Sequence, residues 1–594
     1  MAVAGPDLQE ATMEDYSPNI IANSFISCAA HNGDGEIIIF GERRIPWKEF
    51  TPRVLKVANL LIGLGVKRGE VVAFLFHNTP EFLEINFGIQ AAGAVPAPLN
   101  YRFTPREIEY QGNHCDARVF FYDSIWSEGV EAAAPKLQNI EHFICRGGTG
   151  LDQALNYEEL MAEAKDTDPR AANEWDDVAV MIYTGGTTGF PKGVMLTYQA
   201  HLDMFTALFP ALFLRALTLE VPPERHQRIV EAMPITGAKY LGPILRTRAV
   251  KKLLHRPATL AFLKKKFHER FSNPAVARAG YANAKKAMYP SMPFFHDASY
   301  ANLMMGALSG GVIFVLPDSV KFDPALVLGL VEKEQIVNMA NVPTGWKKLV
   351  SFPEADRYDL SALRIATTGG GVCPASLKKE ILKHFPNAMI VDAFGQTEMT
   401  PVTSFRLDMD ADRIQDRSVG KSIVEARVVD ENGQDVPRGE VGEILYRSST
   451  VMKGYYKEEE ETREVMQDGW FKSGDLGYFD EQGEIRVKDR KKECINTGGE
   501  KVFPLEVEDV INQHPQVDEV CVIGVPDEEW GNTIRAVVQL KKGEPMPEQE
   551  IREFCRGQLA GYKIPRSVIF VDELPLSPVG KMLRQKVREL YGKP

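Results

Sequence analysis

Residues 183–196 read YTGGTTGFPKGVML, four glycines, three threonines and one lysine between two apolar runs. The hydroxyls of Thr184, Thr187 and Thr188, the backbone N–H groups of Gly185, Gly186 and Gly189, and the ammonium of Lys192 form a donor set suited to polyphosphate oxygens. The preceding run, residues 178–183, reads as a buried strand, so the glycine-rich backbone begins where N–H groups are free to meet an anion. A nucleoside triphosphate fits that chemistry. The Walker pattern is excluded, because Pro191 precedes the lysine and Gly193 follows it, and proline interrupts a helix anywhere but its first turn.

Further chemistry lies downstream. Residues 392–398, DAFGQTE, follow an apolar run and present Phe394, Gly395, Gln396, Thr397 and Glu398 in succession. An aromatic stacks on a purine, and a glutamate beside phosphates is a natural magnesium ligand. Asp475 lies in the glycine turn of GWFKSGDLGYFD, as suits a carboxylate accepting bonds from ribose hydroxyls. Lys581 stands in LPLSPVGKMLRQKV near the end of the chain.

These residues need a frame to hold them. Short β-branched runs alternate with amphipathic stretches of ten or more residues, as in residues 69–100 and 310–398, which predicts parallel sheets covered by helices. From about Arg417 the pattern changes to alternating strands and Gly-Pro turns, predicting an antiparallel, barrel-like part. A compact α+β tail follows, and the charged run around Asp489 is the expected boundary between residues 1–488 and 489–594. The run at 300–316 is short for a membrane span and reads as buried helix, turn and strand.

With 594 residues, 44% hydrophobic and 25% charged, the chain has the composition of a multi-domain globular protein. Its net charge of −12 argues against nucleic acid as a partner. Seven scattered cysteines, with no C-x-x-C pair, point to neither zinc nor a disulfide framework, so a reducing cytoplasm is expected. One segment breaks the acidic pattern: residues 212–289 hold 16 Lys or Arg against four Glu, leaving −24 for the rest. Within this insert Leu260, Leu263, Phe267 and Phe271 share one helical face beside a lysine cluster. That face either packs on its own domain or lies on an anionic membrane.

The ordered blocks YTGGTTGFPKG, DAFGQTE, GWFKSGDLGYFD, VKDRKKECINTGGEKVFP and LPLSPVGK resemble those of the adenylate-forming (ANL) superfamily, the acyl-CoA synthetases, adenylation domains and firefly luciferase. The likeness runs from about Pro46 to Lys586, with the insert as its main exception. It implies a large α/β N-terminal domain, with two parallel-type sheets and a barrel-like part, and a small mobile α+β C-terminal domain. The loop from Thr184 to Lys192 would hold ATP phosphates. Gly369, Gly370 and Gly371 would line the adenine site with Phe394, with Asp392, Gly395, Gln396 and Thr397 beside them. Glu398 would hold Mg2+, Asp475 and Arg490 the ribose, and Lys581 would be catalytic with Thr184 and His296. Asp489 and Lys492 would form the hinge. Phe294, Phe295, His296, Trp346, Gly498, Gly499 and Glu500 would line the acyl and coenzyme A tunnel.

The resemblance therefore implies an AMP-forming acyl-CoA synthetase using ATP, Mg2+ and coenzyme A. A medium- or long-chain fatty acid is the preferred substrate because of the basic insert, with an aromatic or alicyclic acid as the alternative. The other readings are an adenylate-only ligase that loads a carrier, and a membrane-docked scaffold without catalysis. A homodimer and peripheral membrane contact through 212–289 are both compatible with the pattern. Three departures stand out: Gly185 where serine is usual, Val372-Cys373 where alanine is usual, and Cys494, expected in the core.

Overall fold

The computed structural model describes residues 17–148, 150–184, 191–232, 247–254, 256–272, 287–309, 312–414, 418–498, 500–541, 546–577 and 581–593. A five-stranded sheet, ordered Val95–Pro98, Val71–Leu75, Val119–Asp123, His142–Arg146 and Leu155–Asn156, is parallel throughout. Its central strands are buried at every residue, as expected of a parallel sheet covered on both faces. Helix Pro80–Ala91 starts on a Thr79 cap and is buried along its whole length. Gly88 allows it to lie against the neighbouring helix, since a Cβ there would stand 2.4 Å from Cβ of Val57. Gln90 on this helix donates to the Ala179 carbonyl at 2.8 Å, tying down the strand that leads into the glycine-rich loop.

The second sheet has nine strands, ordered Lys421–Ser422, Ser404–Asp408, Met389–Phe394, Ile365–Thr368, Asn338–Asn341, Ala287–Pro290, Ile313–Leu316, Glu36–Phe40 and Arg43–Pro46. Ala287–Pro290 pairs in parallel with Ile313–Leu316 on one side and Asn338–Asn341 on the other. The chain moves to one side of this strand and then crosses back past it. In open parallel sheets such a reversal leaves a crevice at the carboxyl ends of the strands, where ligands bind.

Antiparallel pieces complete the larger part. Val178–Thr184 pairs with Lys192–Thr197, which pairs with Gly454–Tyr455. The segment expected to be barrel-like forms a five-stranded antiparallel sheet that includes Trp470–Phe479 and Ile485–Arg490. The tail has a separate core around strands Val517–Asp527, Gly531–Leu540 and Ser567–Val571, covered by short helices. The 300–316 run folds as read, with helix Asp297–Ser309 and strand Ile313–Leu316.

The insert uses much of its apolar stripe internally. Phe271 is buried against Phe205 at 5.4 Å between ring centroids, and Phe267 stacks on Phe209 at 6.1 Å. Both partners lie on helix Tyr198–Thr218, which is long and apolar enough to cross a membrane yet is half buried. Packing on the chain's own helix thus takes the face that a membrane would need. The insert residues 233–246, 255 and 273–286 lie outside the described residues.

Candidate active site

Four neighbouring strands of the nine-stranded sheet deliver the residues of the cleft. Thr368 ends one strand and leads into Gly369–Gly371, where Gly370 has φ +75°, a conformation glycine adopts without a Cβ penalty. The next strand ends at Phe394 and leads into Gly395, where a Cβ would stand 2.0 Å from the Pro401 carbonyl oxygen. Only glycine fits there. Asn341 Nδ2, Thr368 Oγ1 and Gln396 Nε2 are buried at this same edge with no hydrogen-bond partner among the described residues. Buried polar atoms ordinarily find partners, so this group of orphans is consistent with a polar guest.

On the antiparallel side, Asp475 and Arg490 face each other across two strands and form an ion pair at 2.7 Å. Ser473 fixes both, its hydroxyl accepting from the Asp475 N–H at 3.0 Å and its carbonyl accepting from Arg490 at 3.2 Å. Asp475 keeps Oδ2 unpartnered. Burial pushes its carboxyl up to about 6, against the opposing effect of Arg490. Glu398 accepts from the Tyr455 hydroxyl at 2.8 Å, and Lys192 lies 5.2 Å above the same tyrosine ring. Sheet register explains that meeting, since Tyr455 pairs with Val194 and Lys192 with Thr184.

Lys581 reaches into this cleft from the tail. Its backbone is held by Ser577, whose hydroxyl accepts from the Lys581 N–H at 3.0 Å. The residue as a whole is exposed, yet its ammonium end lies against Gly370, and a Cβ at that glycine would stand 3.3 Å from Lys581 Cε. Surrounding protein and then Arg490 lower its pKa, opposed by Glu398 and Asp475. His296 is half-buried with Nδ1 shut away and unpartnered. Burial and the Lys581 charge push the imidazole down to about 3, so it is neutral at pH 7.

Other expected residues take different places. Asp489, expected in an exposed charged run, is buried: its carboxylate accepts from Arg490 N–H at 2.7 Å and from Leu505 N–H at 3.0 Å. It therefore joins the last strand of the larger part to the tail. Lys492 is exposed beside it, its pKa lowered by burial of part of the side chain. Asp392 is engaged in a buried ion pair with Lys378 at 2.6 Å. Trp346 belongs to a hydrophobic core, bonded to the Thr367 carbonyl at 3.0 Å and edge-on to Phe385; it braces the glycine turn from below. Phe294 and Phe295 enter two different core clusters. Gly498, at φ +56°, turns beneath the Trp530 ring, and Glu500 is exposed next to it. Cys494 is half-buried, where a core position was expected. Gly185, Gly186, Thr187, Thr188, Gly189 and Gly499 lie outside the described residues.

Sequence reasoning missed Tyr455, Ser473 and Asp297. The first two act by hydrogen bonds set by strand register, which leaves no local signal. Asp297 had one, an acid directly after histidine in an otherwise apolar stretch.

A family model described as AMP-binding enzyme matches residues 25–235 and 267–456, and one for the AMP-binding enzyme C-terminal domain matches 506–581. A feruloyl-CoA synthase of an Amycolatopsis species is 31% identical over 93% of this chain and 95% of that protein. A long-chain-fatty-acid–CoA ligase of Bacillus subtilis is 28% identical over 96% of this chain and 95% of its own. In fold, an anthranilate CoA ligase in complex with anthranoyl-AMP is similar at a TM-score of 0.77, with 23% identity, covering 96% of this chain and 97% of that one. The chain belongs to the AMP-binding enzyme family of the adenylate-forming superfamily, as an AMP-forming carboxylate–CoA ligase.

Proposed function

We propose that this cleft joins a compact, ring-bearing carboxylic acid to coenzyme A in two steps. A free carboxylate repels a thiolate, so it is activated first. Its oxygen attacks the α-phosphorus of ATP, pyrophosphate leaves, and an acyl-adenylate forms. The Lys581 ammonium would bridge the carboxylate and α-phosphate oxygens as charge gathers, the kind of fixed electrostatic help that usually dominates such steps. The coenzyme A thiol then attacks the acyl carbonyl and AMP leaves. The observation that carries this reading is Lys581 lodged against Gly370 in the field of Glu398 and Asp475.

The remaining roles follow from the donor sets. Asp475 Oδ2 is free to accept from ribose hydroxyls, and Thr184 with Lys192 stands at the mouth of the phosphate loop. Glu398 is a hard oxygen donor, steadied by Tyr455 and paired with no cation among the described residues. It fits a magnesium ion, which when bound would neutralise polyphosphate charge. The case for a long-chain acid rested on a membrane-facing insert, and the packing of Phe267 and Phe271 on the chain's own helix weakens it. The 31% identity to a feruloyl-CoA synthase supports the ring-bearing alternative.

The test is pyrophosphate release and thioester formation with ferulate, indoleacetate and palmitate, each with and without coenzyme A. Ferulate or indoleacetate should exceed palmitate at least tenfold in kcat/KM. A preference for palmitate would overturn the acid class, and pyrophosphate release that never yields a thioester would overturn the acceptor.

A further inference from the structure

Asp297 opens helix Asp297–Ser309, directly after His296 and seven residues beyond the end of the strand at which the nine-stranded sheet reverses. The crevice expected at such a reversal lies between the segments that leave Ala287–Pro290 and Asn338–Asn341, so His296 and Asp297 stand at its wall. The Lys581 charge bears on His296 and the Glu398 charge on Asp297.

Asp297 is fully buried, and neither carboxylate oxygen has a hydrogen-bond partner among the described residues. The hydroxyls of Ser299 and Tyr300, which follow it on the same helix, are already engaged. The Ser299 hydroxyl donates to the Met292 carbonyl at 2.9 Å, and the Tyr300 hydroxyl donates to Asn86 at 2.9 Å while accepting from Gln90 at 3.2 Å. No Lys, Arg or His pairs with Asp297 among the described residues. Burial first and the Glu398 charge second drive its pKa well above the ordinary carboxylate range. A protonated carboxyl both donates and accepts, and a buried one left alone is costly. A hydrocarbon side chain in the substrate would leave it so.

We propose that Asp297 determines specificity: its carboxyl hydrogen-bonds an O–H or N–H group carried by the acid being activated, so that the cleft selects polar-substituted acids over their hydrocarbon counterparts. This rests on the ligase reading above and narrows its substrate class. A site built around a buried hydrogen-bonding group rejects the analogue lacking the partner far more strongly than a hydrocarbon pocket rejects an extra methylene, because the protein group is then left unpaired.

The experiment compares acids of matched shape, namely cinnamate, 4-hydroxycinnamate and 4-aminocinnamate, and benzoate with its hydroxy and amino derivatives. Pyrophosphate release is measured for the full-length protein and for Asp297→Asn and Asp297→Leu, with thermal melting as a check on folding. In the wild type, the best substituted acid should exceed its parent at least tenfold in kcat/KM. Asp297→Leu should remove that preference mainly through KM for the substituted acid, bringing the ratio of kcat/KM between the substituted and unsubstituted acids close to one. Asp297→Asn keeps a hydrogen-bonding group of nearly the same shape. It should retain much of the selection for both the hydroxyl and the amino substituent, since the amide also donates and accepts.

An unchanged preference in Asp297→Leu overturns the proposal, as does a wild type indifferent to all the substituents. If Asp297→Leu melts early, the Asp297→Asn comparison decides: equal loss with every acid makes Asp297 a structural acid and overturns the specificity role. Failure of the ligase reading has a different signature, no pyrophosphate release with any acid.

Discussion

Lys581 Cε lies where a Cβ on Gly370 would stand only 3.3 Å away. Residues 211 positions apart are thus packed at one spot, and the glycine's lack of a side chain lets the ammonium enter. Gly370→Ala suffers twice, because φ there is +75° and because the new methyl crowds the lysine. Adenylation should fall at least tenfold, with little effect on thioester formation from supplied acyl-adenylate. Lys581→Ala should lose on the order of 10²–10³ in the first step. Equal losses in both half-reactions, for either variant, would contradict a role confined to activation.

The placement of Lys581 is supported from outside the cleft. Lys347, on the segment beneath the glycine turn, pairs with Asp518 at 2.8 Å and Glu519 at 2.9 Å in the tail. Lys501 pairs with Glu431 across the same divide at 2.9 Å. The partly buried Lys347 pairs are worth about 0.2–1 kcal/mol. Lys347→Ala should therefore slow adenylation by about two- to fivefold and leave thioester formation from acyl-adenylate unchanged or faster. Added salt should mimic the variant. A slower second half-reaction would show that the pairs serve stability rather than orientation.

Much of this arrangement could be read from the chain. Glu398 and Asp475 are local signals, because a carboxylate after an apolar run or in a glycine turn declares itself within a few residues, whereas Gly369–Gly371 and Lys581 were implied by the resemblance alone. Parallel sheets were equally legible from alternating strand and helix patterns. The misreadings are tertiary. Asp392 looked like part of a nucleotide motif, but its carboxylate is held in a buried ion pair with Lys378. Trp346 looked like a pocket wall and lies in the core below it. The stripe of Phe267 and Phe271 had the right period for a membrane or for a core, and only the position of Phe205 and Phe209 decides between them.

Asp475 gives the cleft a pH dependence. Burial raises its carboxyl to about 6, against an ordinary value of 3.8. The folded state therefore binds its proton more tightly than the unfolded chain. This group's contribution to stability is full below pH 4 and declines as pH rises through 6. Under the proposed ribose role the ionised carboxylate is the stronger acceptor, so nucleotide affinity should run the other way. AMP should bind about tenfold more weakly at pH 5 than at pH 7.5, since roughly one carboxyl in ten is then ionised. Calorimetric titration across that range, repeated on Asp475→Asn, should show a slope in the wild type and a flat, weaker profile in the variant. A slope surviving in the variant would assign the titration to another group.

Lys378 provides a separate test of the corrected role of Asp392. Its side chain is 2% exposed and lies 2.6 Å from Asp392 and 3.0 Å from Asp408, with Arg406 also on Asp408 at 2.9 Å. Removing one partner from a buried ion network leaves uncompensated charge, at a cost of about 3–5 kcal/mol. Lys378→Met should therefore lower the melting temperature strongly, and adding Asp392→Asn with Asp408→Asn should recover most of the loss. Because Asp392 faces this network, Asp392→Asn alone should change KM for ATP by less than about threefold, a shift worth about 0.65 kcal/mol. A large rise in KM with little thermal destabilisation would return Asp392 to the nucleotide site and overturn the structural reading.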